Sequence, residues 1–402
     1  MNLLLIAYEF PPSETSEAIR SLKTIRYLPE YFDQIHVITR EIKDKSKNIT
    51  NKEFSEKVHI HSIPDNYQKI NKIFRILGTE YYFWWIILAI IKGKKVIKDE
   101  KIDIILSRSY PISSHIVAYY LKKNSNLPWV GDFSDPWTQN PYRNYPTKLL
   151  KIIDKKIEKK ILQKMDRIVV ITNYLKQLLL EEYHFLSTPK VKVIPNAYDS
   201  KEYEQFLVNK GNDFKSSKFT ITYSGSFYGK RSPESFFRSL YEIKKKNIEI
   251  YKNIEVVMIG PLGKYKYLID KYDLTDIVTN IDHVPHDKVF EYLYHSDSLL
   301  LIDAPMSPNM FMPAKLAEYL FIGKSIIAIT PLLGESADII NATDSGKVIS
   351  PHDIKGITNT IEDYYYKHQR NELITKPNKD LIVKYDVKVC AEELVKIMKE
   401  LI

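Results

Sequence analysis

Residues 307–330 read SPNMFMPAKLAEYLFIGKSIIAIT. Pro313 suits the first turn of a helix, where its missing N–H removes no hydrogen bond. In the helix that follows, Lys315 and Glu318 stand three residues apart and share a face, while Leu316, Leu320 and Phe321 supply an apolar one. Gly323 ends it. The β-branched run from Ser325 to Thr330 predicts a buried parallel strand, so the stretch is a helix feeding a strand of an α/β sheet. A helix N-terminus offers unpaired N–H groups and a partial positive charge to an anion, and Lys315 adds a formal charge there. Glu318, one turn on, is placed to accept hydrogen bonds from ribose hydroxyls. The expectation is a nucleotide diphosphate site at Pro313, Ala314 and Lys315; the alternative is a helix packed on its sheet with the lysine in water.

Outward from this stretch, strands are expected at 219–224, 254–259, 277–281, 298–302, 325–329 and 347–349. An earlier series falls at 2–8, 35–39, 58–63, 102–107, 129–132, 167–171 and 191–194, and the polar connection 197–218 divides the two. Helical lengths separate most of them, the pattern of open parallel sheets. Ligands bind off the carboxyl ends of such strands, which singles out Arg108 and the sequence GDFSDPW at 131–137. A carboxylate there can deprotonate an acceptor hydroxyl or hold it, with Asp132 the first choice and Asp135 the second. The alternative is a turn cap and a structural hydrogen bond. In the second series the loop SGSFYGKRSPESF at 224–236 puts Gly225 where a backbone must approach something closely, with Ser226, Lys230 and Arg231 within reach.

The 402 residues, 44% hydrophobic with a formal charge of +9, are enough for two or three domains with sizeable cores. The lone Cys390 excludes an internal disulfide, and with no basic leader before the first strand a reducing cytoplasm is expected. The apolar run YYFWWIILAII at 81–91 is too short to span a bilayer and predicts a buried helix. The charge points to an acidic partner, lipid or phosphate, since no nucleic-acid motif accompanies it. Two basic helical stretches, 91–101 and 148–167, flank GDFSDPW. In the second, Leu149, Ile153, Ile157, Ile161 and Met165 recur at helical spacing, which suits either an anionic membrane surface or packing on the sheet. There is no His-x-x-x-His, no Asp-x-Asp and no cysteine pair, so no metal is expected.

Taken in order, Tyr8 with Phe10-Pro11-Pro12, GDFSDPW, Asn196, SGSFYGKR and PAKLAEY resemble the retaining GT-B glycosyltransferases of family 4. The resemblance implies two Rossmann-like domains facing across a cleft. The first is an acceptor domain at 1–196 joined by a C-terminal helix at 385–402 that crosses back to it; the second is a donor domain at 197–384. It implies that Gly225, Ser226, Lys230, Arg231, Met310, Pro313, Ala314, Lys315 and Glu318 hold a nucleotide sugar, UDP-linked, with Val284 in the loop at 283–285 against the base. Glu318 matches the second glutamate of the family's Glu-x7-Glu motif, and Met310 stands where the first would be. Arg20 and Glu14 in the first loop and helix fall where acceptor or donor can be touched, and Arg20 with Arg108 are the expected acceptor-binding residues. The implied activity is metal-independent, cofactor-free transfer to a hydroxyl of a lipid-linked or cell-surface glycan at the inner face of a bacterial membrane. A UDP-sugar 2-epimerase on the same fold and, given Met310, a catalytically inactive nucleotide-sugar binder are the alternatives.

Overall fold

The computed structural model describes residues 1–42, 54–65, 81–208, 216–282 and 284–402. His283, expected beside the nucleotide base, lies outside them. The chain forms two compact units, one of residues 1–196 with 387–402 and one of residues 197–386.

The first unit runs β1 (Asn2–Ala7), α1 (Ser16–Ile25), β2 (Gln34–Arg40), β3 (Val58–Ile63), α2 (Phe83–Asp99), β4 (Ile104–Arg108), α3 (Ser113–Ser125), β5 (Trp129–Phe133), α4 (Lys148–Lys164), β6 (Arg167–Val170), α5 (Asn173–Glu182) and β7 (Val191–Val193). Its seven strands among the described residues are parallel in the order β3-β2-β1-β4-β5-β6-β7. The order reverses between β1 and β4. At such a switch point the flanking helices leave in opposite directions and open a crevice off the strand ends, so the loops after β1 and β4 are where a ligand has room. Both faces of the sheet are covered, which is why β4 and β5 are buried along their whole length and β1 reads as a nearly continuous apolar run. Thr15 caps α1 by accepting from Ala18 N at 3.3 Å. The two stretches read as an aromatic run and a basic helix are a single helix, α2.

The second unit holds α6 (Ser200–Val208), β8 (Phe219–Ser224), α7 (Glu234–Lys246), α8 (Ile248–Lys252), β9 (Ile254–Ile259), α9 (Tyr267–Lys271), β10 (Val278–Ile281), α10 (His286–His295), β11 (Ser298–Ile302), α11 (Ala314–Ile322), β12 (Ser325–Ile329), α12 (Glu335–Ala342), β13 (Gly346–Ile349), α13 (Ile354–Gln369) and α14 (Lys379–Ile382). Its six parallel strands among the described residues follow β10-β9-β8-β11-β12-β13, with the switch point between β8 and β11. The loops after those two strands carry the basic turn at 225–231 and the approach to α11. Pro313 is the N-cap of α11, and Gly323 closes it in the left-handed region at φ 74°. Finally α15 (Val387–Lys399) packs on α1 of the first unit, burying Ala391, Leu394, Val395 and Met398. Among the described residues no helix is long and apolar enough to cross a membrane.

Candidate functional site

In the second unit the end of β8 and the start of α11 are tied together. Tyr319, one turn into α11, accepts from Ser224 N at 3.0 Å through its hydroxyl. That contact brings the Lys315 side chain across Gly225. A Cβ at Gly225 would lie 2.4 Å from Lys315 Nζ, and its φ of 120° is itself a glycine conformation. Gly260 repeats the device from behind: a Cβ there would stand 2.6 Å from the Gly225 carbonyl oxygen. The Lys315 ammonium sits 3.9 Å from the centroid of the Tyr223 ring and has no hydrogen-bond partner among the described residues. Burial, reinforced by the Arg231 guanidinium, holds its pKa well below the ordinary lysine value, against the pull of Asp303 and Glu318.

Arg231, 8% exposed, reaches Asp303 at 3.5 Å and lies over the Tyr228 ring. Asp303 follows β11 directly and is itself buried. Its other oxygen accepts from Asn309 Nδ2 and Thr330 Oγ1, each at 3.0 Å. Asn309 is locked in turn: its N–H donates to Leu333 O at 3.0 Å and its carbonyl accepts from Glu335 N at 2.9 Å. The loop leading into α11 is thereby fixed on the loop after β12 before any ligand arrives. Ser226 and Lys230 are exposed, Met310, Pro313, Glu318 and Val284 half-buried. Lys230 borders a cavity of about 340 Å³ that Ser232, Arg238, Asp303 and His352 also line. Two cations, a helix of nine residues presenting its N-terminus, and glycines where the backbone must come close form a site that can neutralise a diphosphate.

In the first unit the structure brings Arg20, Arg108 and Asp132 together, but in another capacity than expected. Asp132 is 1% exposed and lies between two guanidinium groups, Arg108 Nε at 2.8 Å and Arg20 at 2.9 Å. Burial pushes its pKa up, yet Arg20 and Arg108 pull harder and leave it below the usual carboxylate range. Arg108, 4% exposed, also donates to Arg20 O and Thr24 Oγ1, both at 3.2 Å. Asp132, expected as a base, and Arg108, expected as an acceptor ligand, here pair with each other and with Arg20. A carboxylate sealed between two cations has neither the access nor the basicity to take a proton from a substrate hydroxyl. Asp135 is half-buried on the same loop, and Arg20 keeps 13% of its side chain exposed.

That loop has a second anchor, on α4. Asp154, 1% exposed, accepts from Trp137 Nε1 at 3.2 Å and from the hydroxyls of Tyr81 and Tyr145, and pairs with Arg143 at 3.0 Å. One turn on, Glu158 is wholly buried and accepts from Tyr183 at 2.7 Å and from Thr138. Burial raises its pKa to about 7. The face of α4 turned inward is thus the one with both acids, and the expected apolar stripe divides: Ile161 and Met165 are buried, while Leu149 and Ile153 are 66% and 46% exposed.

Residues 22–202 match the model of the family described as Glycosyltransferase Family 4. No curated protein sequence matches the chain. Among solved structures, a glycosyltransferase from Rickettsia africae superposes with a TM-score of 0.72 at 15% identity, over 100% of this chain and 98% of that one. The lipopolysaccharide outer core galactosyltransferase WaaB in its apo form gives 0.64 at 13% identity, over 99% of this chain and 100% of its own. The fold is GT-B, with two Rossmann-like units, and the family 4 match falls on residues 22–202. UDP-GlcNAc 2-epimerase from Neisseria meningitidis, bound to UDP-GlcNAc, shares the fold more distantly, at a TM-score of 0.60 and 13% identity over all of both chains.

Within this GT-B chain the sequence missed Tyr223, Asp303, Asp154 and Glu158. Asp303 had a signal of the kind that drew attention to Asp132, a carboxylate directly after an apolar strand. Tyr223 and the two α4 acids had none, because a ring under a lysine and an acid inside a lysine-rich helix look like ordinary strand and surface residues. Among the described residues no three His, Cys, Asp or Glu side chains are grouped to hold a metal ion.

Proposed function

We propose that this chain transfers a sugar from a nucleotide-sugar donor, a UDP-sugar, to a hydroxyl of a lipid-linked or cell-surface glycan. The observation that carries the proposal is Lys315: a buried ammonium without a hydrogen-bond partner, held over Gly225 at the start of α11 with Arg231 nearby. An ammonium kept out of water and facing another cation is unfavourable until an anion joins it. A diphosphate at the α11 N-terminus supplies that anion, and Glu318 one turn further is placed for ribose hydroxyls. During transfer the charge that develops on the departing diphosphate meets Lys315, Lys230, Arg231 and the helix N-terminus, without a metal ion. Losing one such preorganised group typically raises the barrier by ~3 kcal/mol. Support for a glycan acceptor comes from the family match over the first unit and from the likeness to an enzyme whose name is lipopolysaccharide galactosyltransferase. Asp135 and Arg20 are the acceptor-side residues proposed to touch that hydroxyl. The proposed stereochemical course is retention, with Met310 beside the sugar.

Titration calorimetry of the protein with UDP, GDP, dTDP and CMP, repeated in buffers of different ionisation enthalpy, tests the donor site. Because burial and Arg231 depress the pKa of the free lysine and a bound diphosphate opposes that shift, binding favours the ammonium form. Affinity then falls as pH rises through the depressed value. UDP is expected to bind with uptake of up to about one proton, and Lys315→Ala to remove the uptake together with most of the affinity. Nucleotide binding that Lys315→Ala leaves unchanged overturns the site. The likeness to the epimerase keeps one second reading in play, and it separates cleanly: an epimerase converts UDP-sugar alone, whereas a transferase needs acceptor and an inactive binder does neither.

A further inference from the structure

The first unit exposes more large apolar surface than its fold requires, and it does so on two helices that meet. On α4, Leu149, Ile152 and Ile153 are 66%, 51% and 46% exposed; on α2, Phe83, Leu88 and Ile91 are 47%, 37% and 61% exposed, with Trp84 beside them. Ile152 and Ile153 follow Leu149 by three and four residues, and Leu88 follows Trp84 by four with Ile91 three further on, so each set forms a stripe along its helix. Their N-terminal ends are held together, because Tyr81, just ahead of α2, donates its hydroxyl to Asp154, the residue after Ile153. Helix α3 packs against both.

The charge around these stripes is one-sided. Both acids of α4 face inward, as Asp154 and Glu158 show, so its exposed surface carries lysines and no carboxylate, among them Lys148, Lys151, Lys156, Lys159 and Lys160. On α2, Lys94, Lys95 and Lys98 are exposed, and its one acid, Asp99, is the last residue. A second copy of this chain would set lysines against lysines, in a molecule already at +9. A nucleic acid would meet aliphatic side chains at the centre of the patch. An anionic bilayer satisfies both halves: the apolar side chains enter the acyl boundary while the ammonium groups stay among the phosphates.

We infer that α2 and α4 form a docking face for an anionic lipid bilayer. The inference stands apart from the donor site, which lies in the other unit, so each can fail without the other. The protein carries its own reporter. Of its four tryptophans, Trp85, Trp129 and Trp137 are at most 1% exposed and Trp84 alone is accessible, at 37%. The full chain is mixed with vesicles of phosphatidylcholine containing phosphatidylglycerol, and with vesicles of phosphatidylcholine alone, then sedimented. Binding to the anionic vesicles is expected to be at least about tenfold stronger and to weaken with added salt. Brominated acyl chains should quench the Trp84 emission, and Trp84→Phe should abolish that quenching. Leu149→Glu/Ile152→Glu/Ile153→Glu, at exposed positions, should release the protein from vesicles while its UDP binding stays that of the parent. Three outcomes overturn the inference: no binding to either vesicle, binding indifferent to the triple substitution, or a dimer that the triple substitution dissociates in the absence of any lipid affinity.

Discussion

Asp132 holds two guanidinium groups of the first unit in place, and its removal shows what the residue is for. With Asp132→Asn, the buried Arg108 and the half-buried Arg20 are left with no counter-charge between them. Breaking a buried pair in this way typically costs about 3–5 kcal/mol, so the expected result is a large loss of stability in urea unfolding. The sign with pH follows from the lowered pKa of Asp132: the stabilisation is full above the unfolded carboxyl value and is lost as pH falls through the folded one. The gap between parent and variant should therefore narrow below about pH 4. A variant that folds with parental stability and loses only turnover would restore Asp132 to a catalytic role. Lys315 differs from Asp132 in one physical respect, the missing partner. Sequence named both as charged groups at element ends, and both are buried charges in the structure. Only the three-dimensional surroundings tell a charge already matched by the fold from one left for a ligand.

Helix α4 makes the same point over seventeen residues. Its apolar periodicity put Leu149, Ile153, Ile161 and Met165 on one face, for packing on the sheet or for an anionic membrane surface. The helix follows that register only in its second half, where Ile161, Leu162 and Met165 meet the sheet side. In its first half the neighbour is the polar loop after β5, whose indole and tyrosine donors need acceptors once buried, and Asp154 and Glu158 turn in to provide them. Periodicity reports what a helix packs on when the partner is apolar, and it fails where the partner is a loop. Glu158 gives this a pH dependence. Its folded pKa of about 7 lies above the unfolded value, so the native state holds the proton longer, and the stability it contributes is present at low pH and lost as pH rises toward 7. Comparing parent with Glu158→Gln isolates the group from other titrations. The stability difference should shift by roughly 3 kcal/mol in favour of the variant between pH 4 and 8. A difference that stays flat with pH would mean that Glu158 is ionised throughout.

At the scale of the whole chain, the thirteen described strands were legible to within a few residues, because the central ones are buried on a parallel sheet and carry β-branched and apolar side chains between turns. The return of the last helix was legible only through resemblance, since an amphipathic segment does not announce which body it packs on. Yet α15 is continuous in sequence with the second unit and belongs by contact to the first. It buries Leu394, Val395 and Met398 there, and adds the Tyr31–Glu392 hydrogen bond and the Arg167–Glu400 ion pair, each at 3.4 Å. Burial of three such side chains is worth on the order of 5 kcal/mol, an upper estimate set by how extended the unfolded chain is. A chain ending at Asp386 should therefore weaken the unit that ends at Asn196 and leave intact the unit to which its new terminus is attached. Hydrogen exchange is the measurement: amides of α1, against which α15 packs, are expected to lose protection, while the strands from β8 to β13 keep theirs and UDP still slows exchange around α11. Unchanged protection of α1 would show that α15 rests on the first unit without stabilising it; loss in β8 to β13 would show that the two units fold as one.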